Sequence, residues 1–296
     1  MKEVRIEKND AGQRLDKFLL KTFPNLKKSA LYKGVRNKKI KVNRKRCTFD
    51  QQLQEGDIIL LFLPPDLLEE KQVQIQKTEP IEVVFENEDL LIVDKPKGLL
   101  SMKDQAGQQD TLNDRVRYYL YSTGAYDPKQ EHSFLPSIAH RLDRNTSGLV
   151  MTAKNAVSAR KLSEDIKEHR IVKSYLALTD RRPQQGRVVL YLKKEGTQAL
   201  IKDQPTEGYD PAIMTVTTIQ EKDGRYLSQI DLETGRFHQI RASLAHLGTP
   251  LLGDAKYGGI PNKNGYQLQA YQIDLSASSF PDLGIITLDK NDRLHL

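Results

Sequence analysis

The chain has 296 residues, 38% hydrophobic and 29% charged, the balance of an ordinary globular protein with room for two domains and a substantial core. No apolar run approaches the roughly 20 residues needed to cross a bilayer, Met1 to Glu7 lacks the apolar centre of an export signal, and a lone cysteine, Cys47, excludes an internal disulfide or a cysteine-built metal site. A cytoplasmic protein with no bound metal, and no redox chemistry, is expected. The net charge of +7 is unevenly placed: residues 1–63 carry 16 Lys+Arg against 7 Asp+Glu, and the remainder 30 against 32. A basic unit joined to a nearly neutral body suggests a polyanion-binding module attached to a domain with another task.

In chain order, Gly12 to Leu20 opens a helix with Leu15, Phe18 and Leu19 at helical spacing, and a second helix spans Ser29 to Val35 with Leu31 and Val35 inward. Ile40-Lys41-Val42-Asn43 alternates like a strand, and Gly56-Asp57 turns the chain into a strand ending near Phe62. With Arg-Leu-Asp near the start, Ile-x-Val-Asn in the middle and Gly-Asp before the last strand, residues 12–62 resemble the RNA-binding domain of ribosomal small-subunit protein four. Arg44 stands where that domain usually has glycine, so a different turn is expected there. The RNA-binding candidates are Lys28, Lys33, Arg36, Lys38, Lys39, Arg44 and Arg46, with Lys27, Lys41 and Lys45 beside them, each a sequence-blind phosphate contact. Pro64-Pro65 and the polar residues up to Pro80 read as a linker. The division expected is therefore a basic domain over 1–63, a linker over 64–80 and a second domain over 81–296.

The second domain opens as strand, acidic turn, strand and Pro-Gly turn over residues 82–98, where Lys95, Pro96 and Gly98 are expected to shape backbone geometry. Then comes His140-Arg141-Leu142-Asp143-Arg144-Asn145-Thr146-Ser147-Gly148-Leu149, a carboxylate between two guanidinium groups followed by turn formers. Two neighbouring arginines favour the ionised form of Asp143, available as nucleophile or base. A buried strand follows at Leu149 to Ala153, and a helix at about Ala156 to His169. On the strand Ile171 to Leu178, Tyr175 shares a face with Lys173 and Ala177, opposite Val172, Leu176 and Leu178. Residues 181–215 say less; a hairpin around Gly208 is expected. Tyr226 to Leu232 is a strand, Gly235 turns the chain, and a helix from Phe237 to Leu247 ends at Gly248. His238 and Arg241, three apart, then share a helix side. An arginine in the first helical turns opposes the macrodipole and needs a partner elsewhere, which a buried carboxylate would suit. Gly253, Asp254 and Gly258 read as turns.

The ten residues from His140, the Lys-x-Tyr-x-Ala at Tyr175, the His-Gln-x-Arg at Arg241 and the opening strand pair together resemble the RluA-type pseudouridine synthases over about residues 82–275. Asn145 stands where that family usually has aspartate, a turn position either residue can fill. The resemblance implies isomerisation of uridine to pseudouridine in RNA, with Asp143 as catalytic residue, Arg241 as its partner and Tyr175 against the target base. It also implies that Arg141, His140, Arg236 and His238 contact substrate. No cofactor is expected, because the product is an isomer. Ribosomal RNA is the favoured partner, transfer RNA the second, and the chain is expected to act as a monomer without a membrane. The fold expected is α+β: a mixed, largely antiparallel sheet around a central cleft, preceded by a small α+β RNA-binding domain. Two other readings compete: a non-catalytic RNA-binding ribosome-assembly factor, and a hydrolase that would release free base.

Overall fold

The computed structural model describes residues 1–70, 73–103 and 110–296; two linker positions, 71 and 72, lie outside the described residues. The N-terminal unit contains β1 (Lys2–Arg5), α1 (Leu15–Thr22), α2 (Lys28–Arg36), β2 (Ile40–Val42), β3 (Lys45–Arg46) and β4 (Ile58–Leu61), with sheet order β1-β4-β2-β3. Both helices lay their apolar stripes on the sheet: Leu15, Phe18, Leu19 and Leu31 pack with Val4, Ile40, Val42, Ile59 and Leu61. The first helix begins at Leu15, three residues later than expected, because Gly12 takes φ 72° and Arg14 stays extended. At the β2–β3 turn, Asn43 and Arg44 adopt φ 51° and 64°, so Arg44 holds the left-handed conformation that a two-residue hairpin needs and that glycine supplies at less cost. Pro65–Leu68 forms a 3-10 turn whose Leu68 packs into this small core.

The second unit comprises β5 (Glu82–Glu86), β6 (Leu90–Lys95), α3 (Leu112–Ser122), β7 (Ser147–Ala153), α4 (Ala156–Lys167), β8 (Val172–Thr179), β9 (Gly186–Glu195), β10 (Gln198–Lys202), β11 (Asp210–Lys222), β12 (Arg225–Leu232), α5 (Gln239–His246), β13 (Leu268–Asp274) and β14 (Ile285–Thr287). Nine strands run in the order β10-β9-β11-β12-β8-β13-β7-β6-β5, with β14 paired to β13; among the described residues the β13–β7 pair alone is parallel. This is the mixed, largely antiparallel sheet expected from the sequence. Period two sorts its side chains into two cores. Leu91, Val93, Val150, Tyr175 and Ala177 meet Leu112, Val116 and Leu120 of α3 and Ile240 and Leu244 of α5. Leu90, Ile92, Leu149, Met151, Leu176 and Leu178 meet Leu162 of α4 on the other face.

Three local expectations change. No hairpin forms at Gly208: β10 and β11 lie on opposite sides of β9 without pairing to each other, so residues 203–209 cross over, and the hairpin turns fall at Gly196 and Gly224. Helix α4 stops at Lys167, with His169 left-handed at φ 54°. Helix α3 was not foreseen, although Thr111 caps it by accepting from the Asp114 N–H and donating to the Asp114 carboxylate. The two units meet through polar contacts: Asp10 accepts from the Ser133 N–H (3.1 Å) and hydroxyl (2.6 Å), and Asn9 accepts from the Ala156 N–H at the start of α4 (2.9 Å).

Gly148 marks where the site loop enters the sheet. It has φ 113°, and a Cβ there would lie 2.1 Å from the Ala270 carbonyl oxygen on β13. Gly148→Ala must therefore strain the backbone and push apart the β7–β13 pair, and is expected to destabilise the protein by about 2–4 kcal/mol, read as a drop in the urea midpoint.

Candidate active site

The loop His140–Ser147 is held from beneath by the segment after β6. The Lys95 ammonium, fully buried, donates to the carbonyls of Pro96 (3.0 Å), Leu99 (2.8 Å) and Arg144 (3.1 Å), and burial brings its pKa down to about 8. The Gly98 N–H donates to the same Arg144 carbonyl (2.9 Å). Ser101 donates its hydroxyl proton to the Leu142 carbonyl (2.7 Å) and accepts from the Leu142 N–H (3.0 Å). The Thr146 N–H closes a turn onto the Asp143 carbonyl (3.1 Å). Lys95 thus has the structural role its sequence setting suggested.

This scaffold presents Asp143 to a cleft of about 460 Å³ lined by His140, Arg141, Lys173, Tyr175, Arg236 and Arg241 among others. The Asp143 side chain is 24% exposed, and one oxygen, Oδ2, accepts from Arg241 Nη1 at 3.2 Å. Burial pushes its carboxyl above the usual carboxylate range, against the pull of Arg241 and Arg141, while Asp254 adds to the rise. Of the two adjacent arginines expected to favour the ionised form, Arg141 pulls in that direction but does not outweigh burial. Arg144 turns away, its Nε donating to the Gly98 carbonyl (3.0 Å), and the cation in hydrogen-bond contact comes from α5 instead.

Arg241 is the centre of a buried charge cluster. Its Nε and Nη2 form a fork onto Asp254 Oδ2 and Oδ1 (2.8 and 3.0 Å), and Nη1 reaches Asp143. The guanidinium also lies 4.1 Å from the Tyr266 ring centroid and 5.1 Å from that of Tyr257. The carboxylate demanded by an arginine in the first helical turn is thus chiefly Asp254, 1% exposed; Asp143 is its second partner. Sequence reasoning read Asp254 only as a turn residue and did not single out Tyr257 or Tyr266. The macrodipole argument called for such a carboxylate, but Asp254 lies beyond the helix stop at Gly248, and nothing local tells it from a turn aspartate.

Tyr175, 6% exposed, shares a face of β8 with Ala177 as its period predicted and lines the cleft, and burial raises its phenol pKa strongly, so the proton stays on oxygen. His140 borders the cleft, but its Nε2 accepts the Met151 N–H (3.2 Å), and burial lowers its pKa to about 3. Arg236 is exposed at the rim, its Nε donating to the Pro211 carbonyl (3.1 Å). Arg141 is exposed between this cleft and an adjoining one. His238 precedes α5 rather than sharing a helical side with Arg241, because the helix starts at Gln239 and not at Phe237. Its Nε2 lies 3.6 Å from Asp143 Oδ2. Lys28, Lys33, Arg36, Lys38, Lys39, Arg44 and Arg46 are all exposed on α2, the turn after it and the β2–β3 hairpin, and among the described residues none is in an ion pair.

Residues 89–246, just over half of the chain, match the family model of the RNA pseudouridylate synthases. The chain belongs to this family. The synthase is 33% identical over 266 residues to an uncharacterized RNA pseudouridine synthase of Mycoplasma pneumoniae, covering 85% of this chain and 79% of that one. It is also 33% identical over 287 residues to the ribosomal large subunit pseudouridine synthase C of Rickettsia bellii, covering 91% of each. In fold it is similar to human RNA pseudouridylate synthase domain containing 1, with TM-score 0.54 and 23% identity over 74% of this chain and 86% of that one. This synthase is accordingly an isomerase acting on RNA.

Proposed function

We propose that this synthase converts specific uridines of large-subunit ribosomal RNA to pseudouridine with Asp143 as its catalytic residue. The observation that carries the reading is a carboxylate in a basic cleft, hydrogen-bonded to a cation that a second, fully buried carboxylate holds in place. Uracil must leave the ribose at nitrogen 1, turn while bound and rejoin through carbon 5. Such chemistry needs an anion beside sugar and base in a site dry enough to retain the free base, and a fixed cation offsets the cost of desolvating that anion. Tyr175 offers a ring for the uracil to stack on and a protonated phenol near the carbon 5 proton. The target base has to be extruded from its stack, at a cost of a few kcal/mol, and Arg141 at the rim is placed to grip the phosphate beside it. Arg236 at the rim and His140 at the cleft border complete the substrate contacts, and the isomerisation balances without a cofactor.

Large-subunit ribosomal RNA is favoured by the name of the Rickettsia bellii relative and by the basic surface of residues 1–63, which we read as an RNA-binding module like that of ribosomal small-subunit protein four. We read the working form as a cytoplasmic monomer. Replacing Lys33, Arg36 and Lys38 together by alanine is expected to weaken binding to target and non-target RNA by the same factor, and to reduce the slope of log K against log salt by about 1 for every phosphate that is no longer neutralised. The decisive experiment maps pseudouridine in ribosomal and transfer RNA from cells lacking the protein, rescued with the intact chain or with Asp143→Asn. Sites that vanish from ribosomal RNA and return only with the intact chain support the proposal. Loss confined to transfer RNA overturns the substrate, and rescue by Asp143→Asn overturns the catalytic residue.

A further inference from the structure

His238 is held in an uncommon way. Its backbone is left-handed (φ 54°, ψ 24°), and although it stands at the N-cap of α5, its side chain makes no capping bond. The ring is instead stacked on Phe237 at 3.8 Å, with Tyr257 edge-on at 5.6 Å, and the Lys194 ammonium covers Phe237 at 4.8 Å. Both ring nitrogens have addresses. Nδ1 lies 2.8 Å from the Tyr257 hydroxyl, and Nε2 faces Asp143 Oδ2 at 3.6 Å.

The Tyr257 oxygen already accepts a hydrogen bond from the backbone N–H of Ala199 on β10, at 2.9 Å. With that donor in place the phenol O–H has His238 Nδ1 within reach as its acceptor, and burial raises the Tyr257 pKa, so the proton is present at neutral pH. An imidazole that accepts at Nδ1 carries its hydrogen on Nε2. Burial together with Arg241, Lys256 and Arg141 keeps the ring neutral, bringing its pKa down to about 3 against the opposing pull of Asp254.

We propose that Tyr257, backed by the β10 main chain, fixes His238 as the Nε2–H tautomer, so that His238 acts as a positioning residue that turns Asp143 Oδ1 toward the substrate. Arg241 Nη1 and His238 Nε2 approach the same oxygen, Oδ2, and among the described residues no protein donor takes Oδ1. At 3.6 Å the contact is longer than a hydrogen bond, and on this proposal it shortens as the reacting base is bound. The same relay ties the β9–β10 hairpin, whose Lys194, Gly196 and Thr197 border the adjoining cleft, to the orientation of the carboxylate. This inference rests on the reading of Asp143 as catalytic.

The test uses the full chain labelled with 15N-histidine. Two-bond proton–nitrogen spectra are expected to show His238 with its proton on Nε2, and Tyr257→Phe is expected to admit the other tautomer. In single-turnover and steady-state assays on target RNA, Tyr257→Phe should lower kcat about 10-fold with KM unchanged. His238→Gln places an amide nitrogen near the Nε2 position and is expected to stay within about 10-fold of the parent, whereas His238→Asn, whose nitrogen falls near Nδ1, should lose about 100-fold. Asparagine tolerates the left-handed backbone better than glutamine, so a merely structural role predicts the opposite order. A proton on Nδ1 in the parent protein, or an asparagine variant as active as the glutamine one, overturns the proposal. Full activity of Asp143→Asn would sink the underlying catalytic reading while leaving the tautomer measurement intact.

Discussion

Asp143→Asn is expected to abolish pseudouridine formation while leaving the protein at least as stable as the parent. Loss of the carboxylate should reduce the single-turnover rate by about 10³-fold or more, which corresponds to about 4 kcal/mol of transition-state stabilisation. Stability should move the other way. Burial raises the folded-state pKa of Asp143 above its ordinary value, so ionising it costs more in the folded chain than in the unfolded one. Above that raised pKa the carboxylate subtracts from folding free energy, and asparagine, which still offers Arg241 an oxygen acceptor, removes the penalty. The check pairs single-turnover rates with urea unfolding at about pH 7.5. A variant that is inactive because it is unfolded would refute this account, and one that retains the parent's rate would remove Asp143 from the chemistry.

Arg241→Ala is expected to be the most damaging change to the fold that the site allows. It strands two carboxylates, Asp254 at 1% exposure and the mostly buried Asp143, without their shared cation, and breaking such a buried pair from one side costs about 3–5 kcal/mol. The deficit should depend on pH with a definite sign. Burial already raises the folded-state pKa of Asp143, and losing Arg241 removes the main pull against that rise, so the folded variant takes up a proton as pH falls and its gap from the parent should narrow between about pH 7.5 and pH 5. Arg241→Lys should fall between the two, because an ammonium cannot reproduce the fork onto Asp254 and reach Asp143 as well. Urea midpoints at the two pH values measure both statements. An alanine variant whose deficit is the same at both would show that the charges had been relieved by water entering the cleft.

Much of the fold was readable because its signals are local. The alternation of Tyr175 and Ala177 against Leu176 and Leu178 assigned the two faces of β8 correctly, and the apolar run Leu149 to Ala153 marked β7, since a strand buried on both faces has no polar side to interrupt it. Helix α3 could have been found the same way, from Thr111 and Asp114 at the cap and Leu112, Val116 and Leu120 four apart. The direction in which the Asp143 pKa is shifted was not readable. Neighbours in sequence suggested two stabilising arginines, but Arg144 is spent on the Gly98 carbonyl, and burial, a tertiary property, decides the direction of the shift. Asp254 and Tyr266 escaped for a related reason: they reach Arg241 only when the segment after α5 folds back over the guanidinium.

The place of β13 sets an order on the birth of this protein. Leu268–Asp274 is inserted between β7 and β8, the strands that follow the Asp143 loop and carry Tyr175, and Ala270 closes against Gly148. While a ribosome is still making the chain, β7 and β8 lack their common neighbour until nearly all of it has emerged, whereas the basic N-terminal unit, whose sheet and core lie within its first 70 residues, can form long before. A nascent chain can thus hold a folded basic module well before it has an assembled cleft, and a chain released early, short of residue 268, would keep the module without the strand that joins the two halves of the catalytic sheet.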